Sequence, residues 1–356
     1  MILTRLRWLA ATSALLIFTG CTTAASEPGS DTRTGGVTAS QTGQVKELGT
    51  GLDAPWGLIE LADGSFLISE RDSARIVHLD NGSIAEVRTL SEADPSGEGG
   101  LLGLAISPDS TTVVAYYTAQ EDNRVVTMSW NGRALGEPSV IVSGIPKGGV
   151  HDGGRMAVGP DGNLYIGTGD SGDSSHAQDK ESLGGKILRV SFTGEPVPGN
   201  PFGNQVFSYG HRNVQGLAFD ESGRLWASEF GSQSWDELNL INEGGNYGWP
   251  TVEGSSENQD LINPKVVWET SEASPSGLAY WRGDLWMAGL RGERLWQIPL
   301  EGTTTGEAKA HFVGTYGRLR TVLASADGSS LFLSTSNTDG RGDVRQGDDR
   351  LLRLSG

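Results

Sequence analysis

The sequence predicts an all-β fold, a six-bladed β-propeller of four-stranded antiparallel blades. Three observations carry that prediction. A turn-then-strand unit recurs six times. The chain has 52 glycines and 10 tryptophans but no long amphipathic helix. No linker interrupts its last roughly 310 residues, too many for one ordinary core but suited to a fold that grows by adding blades.

The repeat reads as follows. Phe66-Leu67-Ile68-Ser69 follows Asp63-Gly64, and Val113-Val114-Ala115-Tyr116 follows Ser107-Pro108-Asp109. Leu164-Tyr165-Ile166-Gly167 follows Pro160-Asp161-Gly162, and Leu225-Trp226-Ala227-Ser228 follows Ser222-Gly223. Leu285-Trp286-Met287-Ala288 follows Arg282-Gly283, and Leu331-Phe332-Leu333-Ser334 follows Asp327-Gly328. The copies lie about 45 to 60 residues apart, a blade-like period. In each, a positive-φ turn reverses the chain into an alternating strand. Residues 75–79, 186–190, 294–298 and 350–354 continue four of the units into a further strand. One four-stranded sheet cannot bury both of its faces, so the blades must stack around an axis. Residues 44–48 are expected to pair with the carboxy-terminal strands and close the ring.

The domain organisation follows from the ends. Residues 1–20 read as a lipoprotein signal peptide: Arg5 and Arg7 give a positive start, and the apolar run 8–18 is too short to span a bilayer. Thr19-Gly20 then precede Cys21, the only cysteine, which is the expected lipidation site. Phe18 stands where leucine is usual, so an ordinary secretory signal is the alternative. Residues 21–44 are rich in Ser, Thr, Gly and Ala and read as a flexible tether. The propeller occupies 45–356. The expected location is therefore outside the cell, lipid-anchored to the outer face of the membrane.

With one cysteine there is no internal disulfide, so packing, strand pairing or metal must hold the fold. The net charge of −17, with no Lys/Arg cluster, excludes a nucleic-acid partner, which would need a basic surface.

Four loops stand apart from ordinary turns. They are Gly97-Glu98-Gly99-Gly100, then Gly148-Gly149-Val150-His151-Asp152-Gly153-Gly154-Arg155, then Tyr209-Gly210-His211-Arg212-Asn213. The fourth is Glu229-Phe230-Gly231-Ser232, continuing through Asp236-Glu237-Leu238-Asn239 to Asn246-Tyr247-Gly248-Trp249-Pro250. Glycine lets backbone approach a ligand closely, and loops at one end of a propeller converge on its axis. By contrast, His78, His176 and His311 read as ordinary blade or surface histidines. Trp226, Trp268, Trp281, Trp286 and Trp296 read as blade packing. No EF-hand spacing is present.

These loops, with Ala54-Pro55-Trp56-Gly57, Gly185-Lys186-Ile187-Leu188-Arg189, Asn200-Pro201-Phe202, Ser274-Pro275-Ser276-Gly277 and Gly317-Arg318-Leu319-Arg320, occur in a characteristic order. In that order the chain resembles the PQQ-dependent soluble glucose and aldose sugar dehydrogenases, also called glucose/sorbosone dehydrogenases. The resemblance covers nearly everything after the tether. It implies a six-bladed propeller that oxidises an aldose at C1 to the lactone, with PQQ and Ca2+ as cofactors. His151 matches the family's general base, and Arg212 a catalytic and cofactor-holding residue. Glu98, Asn213, Arg291, Arg318 and Arg320 match cofactor-binding positions. The backbone carbonyls of Gly231 and Ser232 match calcium ligands, and Glu237 and Tyr247 a second calcium site. His211 is read as orienting its loop by hydrogen bonding. The implied partners are an aldose and an unidentified electron acceptor, for a monomer or homodimer.

The chain departs from the family pattern in three places. Val150 precedes the base where glucose-oxidising members carry an acidic residue, so a broad aldose preference is expected. Ser232 replaces a proline, and Arg291 a lysine. Two other readings use the same fold: a calcium-dependent lactonase-type hydrolase, and a propeller that binds a glycan or partner without catalysis.

Overall fold

The computed structural model describes residues 43–356. The expected signal peptide, the expected lipidation site Cys21 and all but the last two residues of the expected tether lie outside the described residues. Six antiparallel sheets follow one another along the chain. The first blade is Pro55–Glu60, Phe66–Glu70, Arg75–Asp80 and Ser83–Thr89. The second is Leu101–Ile106, Thr112–Thr118, Asn123–Ser129 and Ser139–Ile145. The third is Met156–Val158, Leu164–Gly167, Lys186–Val190 and Val206–Tyr209, and the fourth Val214–Phe219, Leu225–Glu229, Trp235–Ile241 and Val266–Glu269. The fifth is Pro275–Trp281, Asp284–Gly289, Arg294–Glu301 and Lys309–His311, with a short extra pairing at Thr304–Thr305. The sixth is Leu319–Ala324, Ser330–Thr335 and Arg350–Ser355, completed by Val45–Thr50 from the start of the domain. The expected ring closure is therefore present, and each repeated motif is the second strand of its blade. The one helix among the described residues, Ser175–Gln178, is a single turn.

Turn chemistry explains the repeat. Gly64, Gly162, Gly223, Gly283 and Gly328 all have positive φ, and Ser110 takes that conformation in the second blade. The aspartate of the turn accepts a backbone N–H two residues on, as Asp63 does from Ser65 and Asp327 from Ser329.

Burial follows the stacking. Each of the six apolar clusters lies between two consecutive blades, and one of them joins Leu58, Phe66 and Ile68 of the first blade to Phe332 and Leu351 of the sixth. Where inner strands pass closest, side chains are excluded. A Cβ on Gly57, Gly103, Gly216 or Gly277 would come within 2.6, 2.0, 2.1 or 2.8 Å of the nearest neighbouring atom. The inner strands of five blades are also irregular at this level, with register shifts between Pro55/Leu58, Leu101/Leu104, Val214/Gly216, Pro275/Leu278 and Leu319/Thr321. Bulges of this kind re-aim side chains, and here Trp56, Gln215 and Arg320 line an axial cavity.

Candidate active site

The loops that enter each inner strand, and those joining second to third strands, share one end of the propeller. His151 lies in the loop entering the third blade, in the left-handed region at φ 59°, followed by Gly153 and Gly154, also at positive φ. Its backbone is held from both sides. His151 N donates to Glu98 Oε2 (3.0 Å), and Gly153 N donates to Asn213 Oδ1 (3.1 Å).

The ring has two defined neighbours. Nδ1 lies 2.7 Å from Asp170 Oδ1, and Nε2 lies 2.8 Å from Arg212 Nη2. Asp170 also accepts from Gly172 N and from Trp249 Nε1. Burial alone would raise its pKa, but the hydrogen bonds from His151, Gly172 and Trp249 hold it below the usual carboxylate range. An ionised carboxylate only accepts, so the Nδ1 proton sits on His151; a guanidinium only donates, so Nε2 presents its lone pair. The network therefore assigns one neutral tautomer.

Arg212 joins this base to the fourth loop. Its Nη1 donates to Gly231 O at 2.5 Å, and its guanidinium lies 5.4 Å from the Trp249 ring. Its backbone N–H donates to Glu229, whose other oxygen holds His211 Nδ1 at 2.8 Å. Buried His211 also bonds Ser208 and stacks on Tyr247, so both of its nitrogens are committed to the loop. The Gly231 loop is fastened in turn: Ser232, Gln233, Ser234 and Trp235 all donate their backbone N–H to Glu253 Oε1.

Gly231 O already faces a cationic partner, an orientation that suits a metal ligand. The Glu237 carboxylate accepts from Gly254 N and Asn239 Nδ2. Burial first, then Glu229, push its carboxyl well above the usual range. The Tyr247 hydroxyl donates to Leu240 O. Among the described residues no group of three or more His, Cys, Asp or Glu is arranged to hold a metal, so any ion here would rely on backbone oxygens as well.

Glu98, which holds the backbone of His151, also lines a cavity of about 290 Å³, where five arginines (Arg71, Arg291, Arg318, Arg320 and Arg341) face two carboxylates, Glu98 and Asp339. This is near the lower end of the roughly 300–1,000 Å³ range of small-molecule sites. Asp339 pairs with Arg318 (2.8 Å) and Arg320 (3.3 Å), and Glu98 with Arg341 (2.8 Å). Arg291 forms no ion pair among the described residues. Burial pulls Arg320 down to about 10 although Asp339 opposes it, and its Nε has no hydrogen-bond partner. Five arginines against two carboxylates, with Arg291 exposed and unpaired and buried Arg320 keeping one unused donor, fit a ligand carrying several carboxylates.

Residues 52–352 match the family described as Glucose / Sorbosone dehydrogenase. The chain belongs to that family. Among solved structures it is similar to an aldose sugar dehydrogenase of Streptomyces coelicolor in PQQ-bound form: 53% identity, 89% of this chain, 99% of that one, TM-score 0.85. It is 32% identical to quinoprotein glucose dehydrogenase B of Acinetobacter calcoaceticus over 57% of this chain and 51% of that protein, so it spans about half the length of that relative. It is 28% identical to the aldose sugar dehydrogenase YliI of Escherichia coli over 71% of this chain and 74% of that one.

Of the family positions read from sequence, Glu98, Arg291, Arg318 and Arg320 share the cavity, and His151, held by Glu98, touches Arg212. Asn213 is buried behind the base and holds its loop. Gly231 and Ser232 lie next to Arg212, with Glu237 and Tyr247 beyond. Sequence reasoning missed Asp170, Glu253, Arg71, Arg341 and Asp339. Asp170 had a usable signal, because Thr168-Gly169-Asp170-Ser171-Gly172 is another glycine-bracketed polar loop after a second strand.

Proposed function

We propose that this chain is a PQQ- and calcium-dependent dehydrogenase that oxidises an aldose at C1 to the lactone. The observation that carries the reading is His151 Nε2, held as a lone pair by the Asp170 contact, with the His151 backbone joined through Glu98 to a cavity with an excess of arginine. Arg291, Arg318 and Arg320 would hold the PQQ carboxylates, with Glu98, Arg212 and Asn213 around them. The carbonyls of Gly231 and Ser232 would take calcium, and Glu237 with Tyr247 a second ion. When bound, PQQ supplies the acceptor for the C1 hydride and calcium polarises that acceptor as a Lewis acid.

The residues of the chain handle the proton. Arg212 must release Nε2 as substrate enters, and His151 then takes the proton of the C1 hydroxyl. Asp170 keeps the ring in the required tautomer and stabilises the imidazolium that forms. Exposed Val150 beside the base offers no hydrogen bond to a sugar hydroxyl, which favours a broad aldose preference over glucose alone. We extend the proposal to export and lipid attachment at Cys21, on the strength of the amino-terminal sequence.

The test uses the purified chain with PQQ and calcium, followed by dye reduction across a panel of aldoses and by calorimetric titration of PQQ. His151→Ala is expected to lower turnover about 10²–10⁴-fold while PQQ affinity holds, and Asp170→Asn to lower turnover with it. Absence of both PQQ binding and sugar-dependent dye reduction would sink the proposal.

A further inference from the structure

One charged residue on the axis has no role in the chemistry described above. Arg155 follows Gly154 and immediately precedes the inner strand of the third blade. By register, Met156 is equivalent to Leu58, Leu104, Leu217, Leu278 and Val322, each opposite the corresponding residue of its second strand. Arg155 thus occupies the level at which four other blades carry Gly57, Gly103, Gly216 and Gly277 and the sixth carries Thr321. The glycines let neighbouring inner strands approach at this level, whereas the third blade places the long Arg155 side chain there.

Its contacts cross the propeller. Nε donates to Gln215 O of the fourth blade (2.7 Å), and Nη2 donates to Thr321 Oγ1 of the sixth, opposite the third (3.2 Å). The guanidinium lies 4.1 Å from the Trp56 ring centroid, and Thr321 Oγ1 donates to Trp56 O (2.6 Å). Trp56 lines the arginine cavity, whereas Arg155 lines a separate, largely apolar funnel of about 420 Å³ at the other end of the axis. Together the stacked pair forms the partition between the two spaces.

The partition carries a charge without a counter-ion. Arg155 is buried, and no carboxylate pairs with it among the described residues. Burial, with Arg320 nearby, pulls its pKa down to about 9. A buried cation that meets only neutral acceptors and an aromatic face is costly until an anion approaches. Of the two spaces beside the partition, the funnel that Arg155 lines is largely apolar, and the arginine cavity across the Trp56 ring is the one whose lining suits an anion.

We propose that Arg155 is a positioning residue that backs Trp56 at the floor of the cofactor cavity and adds an unpaired positive charge there that strengthens binding of the polycarboxylate cofactor. The inference rests on the functional reading above. It predicts that anion affinity, and not the integrity of the unloaded fold, is what the charge serves.

The experiment compares the full chain with Arg155→Met and Arg155→Lys. PQQ dissociation constants are measured by calorimetry in the presence of calcium, and melting temperatures without cofactor. Arg155→Met is expected to bind PQQ about tenfold or more weakly, with an unloaded melting temperature equal to or above that of wild type. Arg155→Lys, which keeps the charge, is expected to recover most of the lost affinity. Equal PQQ affinity in wild type and Arg155→Met overturns the inference and leaves the functional reading standing. So does an Arg155→Lys variant as weak as Arg155→Met, or an unloaded Arg155→Met that melts well below wild type. Wild-type protein that binds no PQQ overturns the functional reading itself, and this inference with it.

Discussion

Asp152 follows the base in sequence, but its carboxylate turns away into the protein. Oδ1 accepts from Asn123 Nδ2 and Gly148 N, and Oδ2 has no partner among the described residues. Burial, with Glu98 adding to it, raises its pKa to about 6. A carboxyl whose folded pKa exceeds its unfolded value binds its proton more tightly in the native state. Its contribution to stability is therefore full below about pH 4, declines as pH rises to about 6, and stays low above that. Asp152→Asn keeps an acceptor for Asn123 and Gly148 and removes the titration. The variant should match wild type near pH 4 and exceed it at pH 7 by up to about 3 kcal/mol. Calorimetric melts from pH 4 to 7 check this; an unchanged slope would count against the assignment. The same residues show what sequence can reveal at this scale. His151, Arg212 and the Gly231 loop were legible because glycine brackets them. Asp170 and Glu253 act through single oxygens on distant backbone or ring atoms, so only the fold brings them into contact. The five-arginine cavity was partly legible for the same reason: Arg318 and Arg320 lie in a motif, whereas Arg71 and Arg341 reach it from separate loops of the first and sixth blades.

The inner strand is the element on which both ring and site depend. Ser69 Oγ donates to Leu102 O and accepts from Gly57 N, fastening the first blade to the second, and Ser228 Oγ donates to Ser276 O between the fourth and fifth. Such close contact leaves no room for a side chain. In Gly103→Ala the new Cβ would meet Gly154 O of the next blade at 2.0 Å, in the loop that follows His151. Backbone of both blades would have to move, so a loss of about 3 kcal/mol or more is expected, with reduced activity. Gly64→Ala is the matched control. Its φ of +83° is unfavourable for alanine but no atom lies within 4 Å, so only conformational strain of about 1–2 kcal/mol applies. Thermal melts of the two variants test the contrast, and equal losses would show that the inner ring is looser than the contact between Gly103 and Gly154 implies. Second strands were legible because all their positions alternate between two buried faces after a fixed turn. Outer strands such as Ser83–Thr89 and Ser139–Ile145 are mostly exposed along their length, so their sequences carry no hydrophobic period to read. Inner-strand bulges were illegible for another reason: they are set by the approach of the neighbouring blade.

At the scale of the whole molecule, stability depends on a ring whose last blade is built from both ends of the domain. Arg350–Ser355 lies between Ser330–Thr335 on one side and Val45–Thr50 on the other. Its Leu351 belongs to the cluster between the sixth and first blades, and Leu352 and Leu354 belong to the one between the fifth and sixth. All three are buried. At about 1.5–3 kcal/mol for each buried leucine, their loss removes roughly 5–9 kcal/mol before any strand pairing is counted. That is comparable with the whole stability of about 5–15 kcal/mol expected of a folded domain. Removing the strand also leaves Val45–Thr50 without a partner and opens two of the six interfaces at once. A chain ending at Asp349 is therefore expected to show no cooperative melt. A chain beginning at Gly51 loses only an outer strand whose side chains are mainly half-buried or exposed, and should melt cooperatively at a lower temperature. Calorimetry on both truncations distinguishes the cases. If the chain ending at Asp349 melted cooperatively near the wild-type temperature, closure would not be what holds the propeller together, and the blades would have to be stable as an open stack.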